Sequence, residues 1–256
     1  MDFHGLLIFA CGLFGLVLGS FANVCVHRIP RGESVAFPGS HCPQCAQAIA
    51  WYDNIPLFSW LWLKGRCRHC QQSISWRYPL LELLMGLSWA LLAWRYGFSP
   101  LLLEALVLVS WLWILSLIDL ETGLLPNVLT FPGMFIGLLF SWWLGDVLSG
   151  VIGLVAGYGF FWLIAKVYLW LTGREGMGYG DFKLLAMLGA FMGWQALPFI
   201  VFLSSLTGAL IGSALLLLSG KGMRVEIPFG PYLAAAGMIW FLWGHAIIAW
   251  YAGMLH

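Results

Sequence analysis

Apolar residues run along this chain in long stretches rather than alternating or recurring on one helical face. Eight such stretches stand out: 5–27, 79–97, 100–118, 127–144, 150–171, 182–199, 200–219 and 229–252. Most approach the roughly 20 apolar residues that a helix needs to cross a bilayer. The pattern predicts an all-α polytopic membrane protein with about eight spans. The division between the sixth and seventh rests on Pro198 and on total length, because Gly193-Trp194-Gln195 is only a weak turn signal. The first stretch lacks a basic flank and continues into Ser20 and Asn23, so it reads as a retained span, not a cleaved signal. One polar stretch, 28–78, is long enough to form a small domain. The expected organisation is a first transmembrane helix (1–27), a cytoplasmic domain (28–78) and a multi-helix membrane domain (79–256). No internal repeat is expected.

Composition agrees with this pattern. The chain is 61% hydrophobic and 9% charged, whereas soluble domains carry about 25% charged residues. Charge placement adds orientation. All basic residues except Arg95 and Lys166 fall in or beside 28–78, 172–183 and 220–228. These segments share one side of an eight-span topology, and the positive-inside rule places that side in the cytoplasm. Both termini then face outward. A net charge of +1 gives no reason to expect nucleic-acid binding.

The polar stretch holds Cys42, Cys45, Cys67 and Cys70 as two CxxC pairs. Each pair can aim two thiolates at one point, and together they complete a tetrahedral zinc site. A small domain with little core gains its fold from such a staple. Disulfides or free thiols are the alternatives, and a reducing cytoplasm disfavours disulfides. Four cysteines leave no open position, which argues for a structural metal. His41 and His69 lie beside the pairs as possible competing ligands, while Cys11 and Cys25 read as small core residues.

Acids in or beside a span are costly and ask for a reason. Asp119 ends the third span and Asp181 opens the sixth, both at the cytoplasmic edge. Two carboxylates brought close cannot both ionise easily and share a proton. One can then activate water while the other polarises a peptide carbonyl. Gly178 and Gly180 permit close approach of a peptide backbone to Asp181. Pro126 suits the first turn of the next span, and Lys183 is placed to favour the charged form of Asp181. Helix capping is the plainer role for both aspartates. Glu121 and Glu175 read as solvated loop residues. Glu82 and Glu104, inside spans, can pair with each other or with Arg95, or line a polar seam.

Gly178-Tyr179-Gly180-Asp181 resembles the GxGD signature of membrane aspartic proteases. With Asp119-Leu120-Glu121-Thr122-Gly123-Leu124-Leu125-Pro126, the chain resembles the type IV prepilin peptidase family. The run from Gly19 to Val24, then His27-Arg28-Ile29-Pro30 and the cysteine pairs, resembles that family's N-terminal region. So does Ile227-Pro228-Phe229-Gly230-Pro231-Tyr232 before the last span. Leu125 stands where the family commonly has isoleucine. The resemblance implies a bacterial inner-membrane enzyme that removes a short basic leader after a glycine from prepilins and pseudopilins. It also implies that Asp119 and Asp181 are the catalytic pair. Members with the cysteine domain often also methylate the new N-terminal amine with S-adenosylmethionine. No Rossmann-type glycine fingerprint is present, so no methyl-donor residues are assigned; 28–78 and its junctions with the first two spans are the place to look. The competing readings are a GxGD protease that cuts within membrane helices, a proton-coupled transporter, and a zinc-stapled adaptor without catalysis. A transporter would more naturally set its acids near the midplane.

Overall fold

The computed structural model describes residues 2–174, 178–219 and 228–254. It is predominantly helical, with no β-strand among the described residues. The chain divides into two compact units, Met1–Ile114 and Leu115–His256. Among the described residues, four helical segments are long and apolar enough to span a membrane: Phe3–Arg31, Pro100–Thr122, Val147–Thr172 and Trp194–Ala214.

In the first unit, α1 (Phe3–Arg28) packs along α3 (Arg77–Tyr96). The inward residues of α1 include Gly15, Gly19 and Ala22, while Phe3, Phe9, Phe14, Val17 and Phe21 point outward. Small residues inward and large apolar residues outward is the pattern of a membrane helix, whose neighbours approach through van der Waals packing. Asn23 Nδ2 ties the pair together by donating to Tyr78 O at 3.1 Å. The first part of α4 (Pro100–Thr122) completes this unit. There Trp89 Nε1 donates to Ser110 Oγ, and Trp113 Nε1 to Ser88 Oγ.

Between α1 and α3 lie single helical turns at Ile29–Arg31 and Trp51–Asn54, the short α2 (Phe58–Trp62), and the two cysteine pairs. The pairs are built alike. Cys42 N donates to Gln47 O and Ala46 N to Cys42 O; Cys67 N donates to Gln72 O and Gln71 N to Cys67 O. Isolated antiparallel bridges join His41 to Ala48 and Arg66 to Ser73. Ala46 and Gln71 both adopt positive φ, at 56° and 59°. These matches correct the expectation of no internal repeat. Cys42-Pro-Gln-Cys45-Ala-Gln47-Ala48-Ile49-Ala50-Trp51 and Cys67-Arg-His-Cys70-Gln-Gln72-Ser73-Ile74-Ser75-Trp76 are two copies of one short motif.

The second unit contains the last turns of α4, then α5 (Asn127–Trp143), α6 (Val147–Thr172), α7 (Tyr179–Met192), α8 (Leu197–Ser219) and α9 (Gly230–Met254). Helix α7 is its centre: every residue from Leu184 to Phe191 is buried. It packs on α5, α6 and α9. A Cβ at Gly153 of α6 would come within 2.2 Å of Gly189 O on α7. Only glycine allows the two backbones this close. Ser141 Oγ donates to Ala190 O at 2.7 Å and secures the other side of α7 to α5.

The break after α7 corrects the expected boundary at 199/200. The chain turns at Gly193 (φ 76°), passes through the turn Trp194–Ala196 and starts α8 at Leu197. Pro198 therefore lies in the first turn of α8, where a missing N–H costs nothing, and does not mark the end of a span. Helix α7 has 14 residues, a length of about 21 Å at 1.5 Å per residue, shorter than the sequence pattern suggested.

Candidate active site and metal centre

Asp119 sits on the last turn of α4, which ends at Thr122. Gly123 N closes the helix on Asp119 O at 2.8 Å and has positive φ, so the chain leaves α4 sharply. The Asp119 side chain is 5% exposed. Its Oδ2 accepts the backbone N–H of Gly230 at 2.9 Å. Gly230 is the first residue of α9, so the carboxylate faces the positive end of that helix. A Cβ on Gly230 would lie 2.6 Å from Oδ2, so any other residue here would push the carboxylate aside.

Asp181 is half-buried in the first turn of α7, three residues after the extended N-cap Gly178. It lies close enough to Asp119 for the two charges to interact. Gly180 packs against Leu125, whose Cβ would be 2.9 Å from a Cβ at position 180. That contact seats the loop after α4 against the start of α7. Pro126 is the N-cap of α5, one position before the helix proper, and its carbonyl accepts Thr130 N at 3.1 Å. Lys183 Nζ donates to Asn127 Oδ1 at 2.6 Å and lies 5.5 Å from the Phe131 ring centre. Its ammonium thus ties α7 to α5, and no ion pair joins it to Asp181 among the described residues. The end of α4 and the starts of α5, α7 and α9 converge here. Glu121 is exposed; Glu175, Lys221, Arg224 and Ile227 lie outside the described residues.

Sequence reasoning noted the Pro228-Phe229-Gly230-Pro231 run but gave Gly230 no role. The signal was available: Gly-Pro at the start of an apolar helix leaves a free N–H just where proline follows at low cost. Asn127 was missed because nothing local marks it as the partner of Lys183, 56 positions away.

The first unit brings together the Sγ atoms of Cys42, Cys45, Cys67 and Cys70, all within 4.8 Å of one another. The Cys42 and Cys70 sulfurs are 3.8 Å apart. Tetrahedral zinc with Zn–S bonds of about 2.3 Å places its sulfurs about 3.8 Å apart, so the cluster fits such an ion. No described cysteine is in a disulfide. The backbone N–H groups of Cys45 and Gln44 point at Cys42 and lower its thiol to about 7. Those of Cys70 and His69 likewise lower Cys67. Backbone donors thus ready these sulfurs as thiolates, the form that binds metal. Beside the cluster, Arg68 grips Asp53 through two hydrogen bonds of 2.7 and 2.6 Å. Glu82 does not meet Arg95: its Oε2 accepts Leu57 N at 2.8 Å, and Arg95 lies 5.8 Å from the Tyr96 ring centre.

Residues 13–96 match the bacterial peptidase A24 N-terminal domain, and residues 106–213 match the type IV leader peptidase family. A prepilin leader peptidase/N-methyltransferase from Aeromonas salmonicida is 47% identical over 93% of this chain and 91% of its own length. Proteins of the same name from Pseudomonas putida and Pseudomonas aeruginosa are 43% and 41% identical. They cover 93% and 97% of this chain and 91% and 94% of their own lengths. No solved structure matches.

Proposed function

The chain belongs to the type IV leader peptidase family, and from that premise we propose that it cleaves the basic leader from prepilins and pseudopilins with Asp119 and Asp181, then methylates the new N-terminus. The observation that carries the protease reading is the convergence of two acids from helices distant in sequence. They lie at the end of α4 and the start of α7, within range of each other's charge.

The mechanism follows from that placement. The pair holds one proton between two carboxylates, because two adjacent negative charges in a site of low polarity repel. The ionised member takes a proton from water, which attacks the scissile carbonyl. The protonated member donates to that carbonyl oxygen, and later a proton passes to the leaving amine. Gly230 N–H fixes one Asp119 oxygen and so sets where the other points. Gly178 is exposed and has an extended backbone, suited to run beside an unwound peptide.

The wider reading is a bacterial inner-membrane protein of eight spans, formed by α1 and α3 to α9, with this helix end at the cytoplasmic face. Support comes from the basic residues of 28–78 and 172–183. Zinc is the proposed ion of the cysteine cluster, held by all four thiolates and therefore structural. S-adenosylmethionine is the proposed methyl donor.

The test is incubation of detergent-purified protein with a prepilin and S-adenosylmethionine, followed by substrate mass. The reading expects loss of the leader after its terminal glycine, plus one methyl mass. A prepilin left intact by folded protein, with acid-dependent ion flux in liposomes, would instead indicate a transporter.

A further inference from the structure

The first unit contains a cleft of about 430 Å³ that the protease chemistry does not use. Its walls are the end of α1, the cysteine motifs, the Trp51–Asn54 turn and the start of α3. The volume falls in the range of small-molecule sites, about 300–1,000 Å³.

Glu82 lines this cleft and is only 8% exposed. A carboxylate at such a position on an apolar helix is costly and calls for a function. Its oxygens can accept about four hydrogen bonds. Leu57 N–H supplies one at 2.8 Å, and the Ser20 hydroxyl is a second neighbour. Leu57 itself has φ 60° and ψ −51°, a strained conformation for a residue with a side chain. The loop thus adopts an unfavourable shape while bonded to one side of the carboxylate. Gly19 closes α1 onto the same spot: a Cβ there would lie 2.7 Å from Glu82 Cα. Asn23, His27 and Tyr78 bring further polar groups to the cleft wall.

We propose that this cleft is the methyl-transfer site and that Glu82 holds and deprotonates the substrate's new N-terminal amine. The proposal rests on the methyltransferase reading above. Bound S-adenosylmethionine would supply a methyl group carried on a sulfonium. Glu82 accepts one proton from the N-terminal ammonium and leaves a neutral amine. The amine lone pair forms the N–C bond as the C–S bond breaks with its electrons on sulfur. A secondary ammonium and a neutral thioether result, with the proton on Glu82. The carboxylate also gives the incoming cation a fixed partner in a site of low polarity, where the attraction is strong.

The test supplies mature pilin with a free N-terminus, so that no cleavage is needed. Glu82→Gln keeps an oxygen to accept Leu57 N–H but loses charge and basicity. Methylation should fall at least 100-fold, while leader removal from intact prepilin reports that the variant is folded. Methylation within threefold of wild type would overturn the assignment. A second measurement reads binding without turnover or methyl donor: by calorimetric titration, wild type should bind a mature pilin N-terminal peptide at least tenfold more tightly than its N-acetylated form. Equal binding of the two peptides would overturn the role of Glu82 even if Glu82→Gln fails to fold. Wild type that cleaves prepilin yet methylates neither substrate would overturn the methyltransferase reading itself, and this proposal with it.

Discussion

Gly230 shows how little of the proposed catalytic arrangement need be side chain. Its N–H holds Asp119, and its missing Cβ leaves the space in which Asp119 sits. Gly230→Ala should displace the carboxylate by a fraction of an ångström to an ångström. Misplacements of that size cost on the order of 100-fold in rate. The expected result is therefore a folded protein with prepilin cleavage lowered about that much, read as initial rate. Lys183 makes a different case. Sequence alone assigned it to tuning Asp181, because the two are neighbours and of opposite charge. The structure places the ammonium on Asn127, so Lys183→Ala and Asn127→Ala should destabilise by similar amounts and not add. A coupling of about 0.5–1.5 kcal/mol in a double-mutant cycle is expected, the usual net worth of one hydrogen bond. The acids themselves were legible from the sequence, since charge at the edge of an apolar run is rare. Their backbone partner was not, because an N–H leaves no trace in residue identity.

At the scale of elements, close helix contact positions Asp181. Helix α7 carries it, and α6 approaches α7 through Gly153 and Gly189. Gly153→Leu should push the helices apart and lower thermal stability in detergent by about 1–3 kcal/mol, the usual cost of overpacking. Cleavage should fall with it. Hydropathy revealed that helices exist here but misplaced the end of α7. An apolar run continues across 182–199 regardless of where the backbone turns, and Pro198 looked like the breaker. Gly193 turns the chain instead, since positive φ is open to glycine and invisible to hydropathy. The repeated cysteine motif is harder to see for a related reason: beyond the cysteines it consists only of a Gln, an Ile and a Trp at matching spacings, residues that carry no chemistry of their own. Matching backbone hydrogen bonds make the repeat evident.

Across the whole molecule, the proposed chemistry divides between the two compact units. The cysteine cluster and the Glu82 cleft belong to Met1–Ile114, and both aspartates belong to Leu115–His256. The cluster needs thiolates, so metal affinity should fall steadily as pH drops: Cys70 is pushed up to about 11 beside the other sulfurs and Cys42 is lowered to about 7, so protons compete for the sulfurs at every pH below about 11. Competition with a chromophoric chelator across pH 5–9 would measure this, and a pH-independent affinity would argue against four-thiolate ligation. Cys42→Ser with Cys45→Ser should remove the metal and lower methylation more than cleavage.

The most direct test of the account is the single-turnover rate of prepilin cleavage by wild type, Asp119→Asn and Asp181→Asn, with substrate mass as the readout. The account predicts that either substitution alone lowers the rate at least about 1,000-fold, because water activation and carbonyl polarisation each need their own carboxyl group. Cleavage within about tenfold of wild type in either folded variant would contradict the assignment of these two aspartates as the catalytic pair.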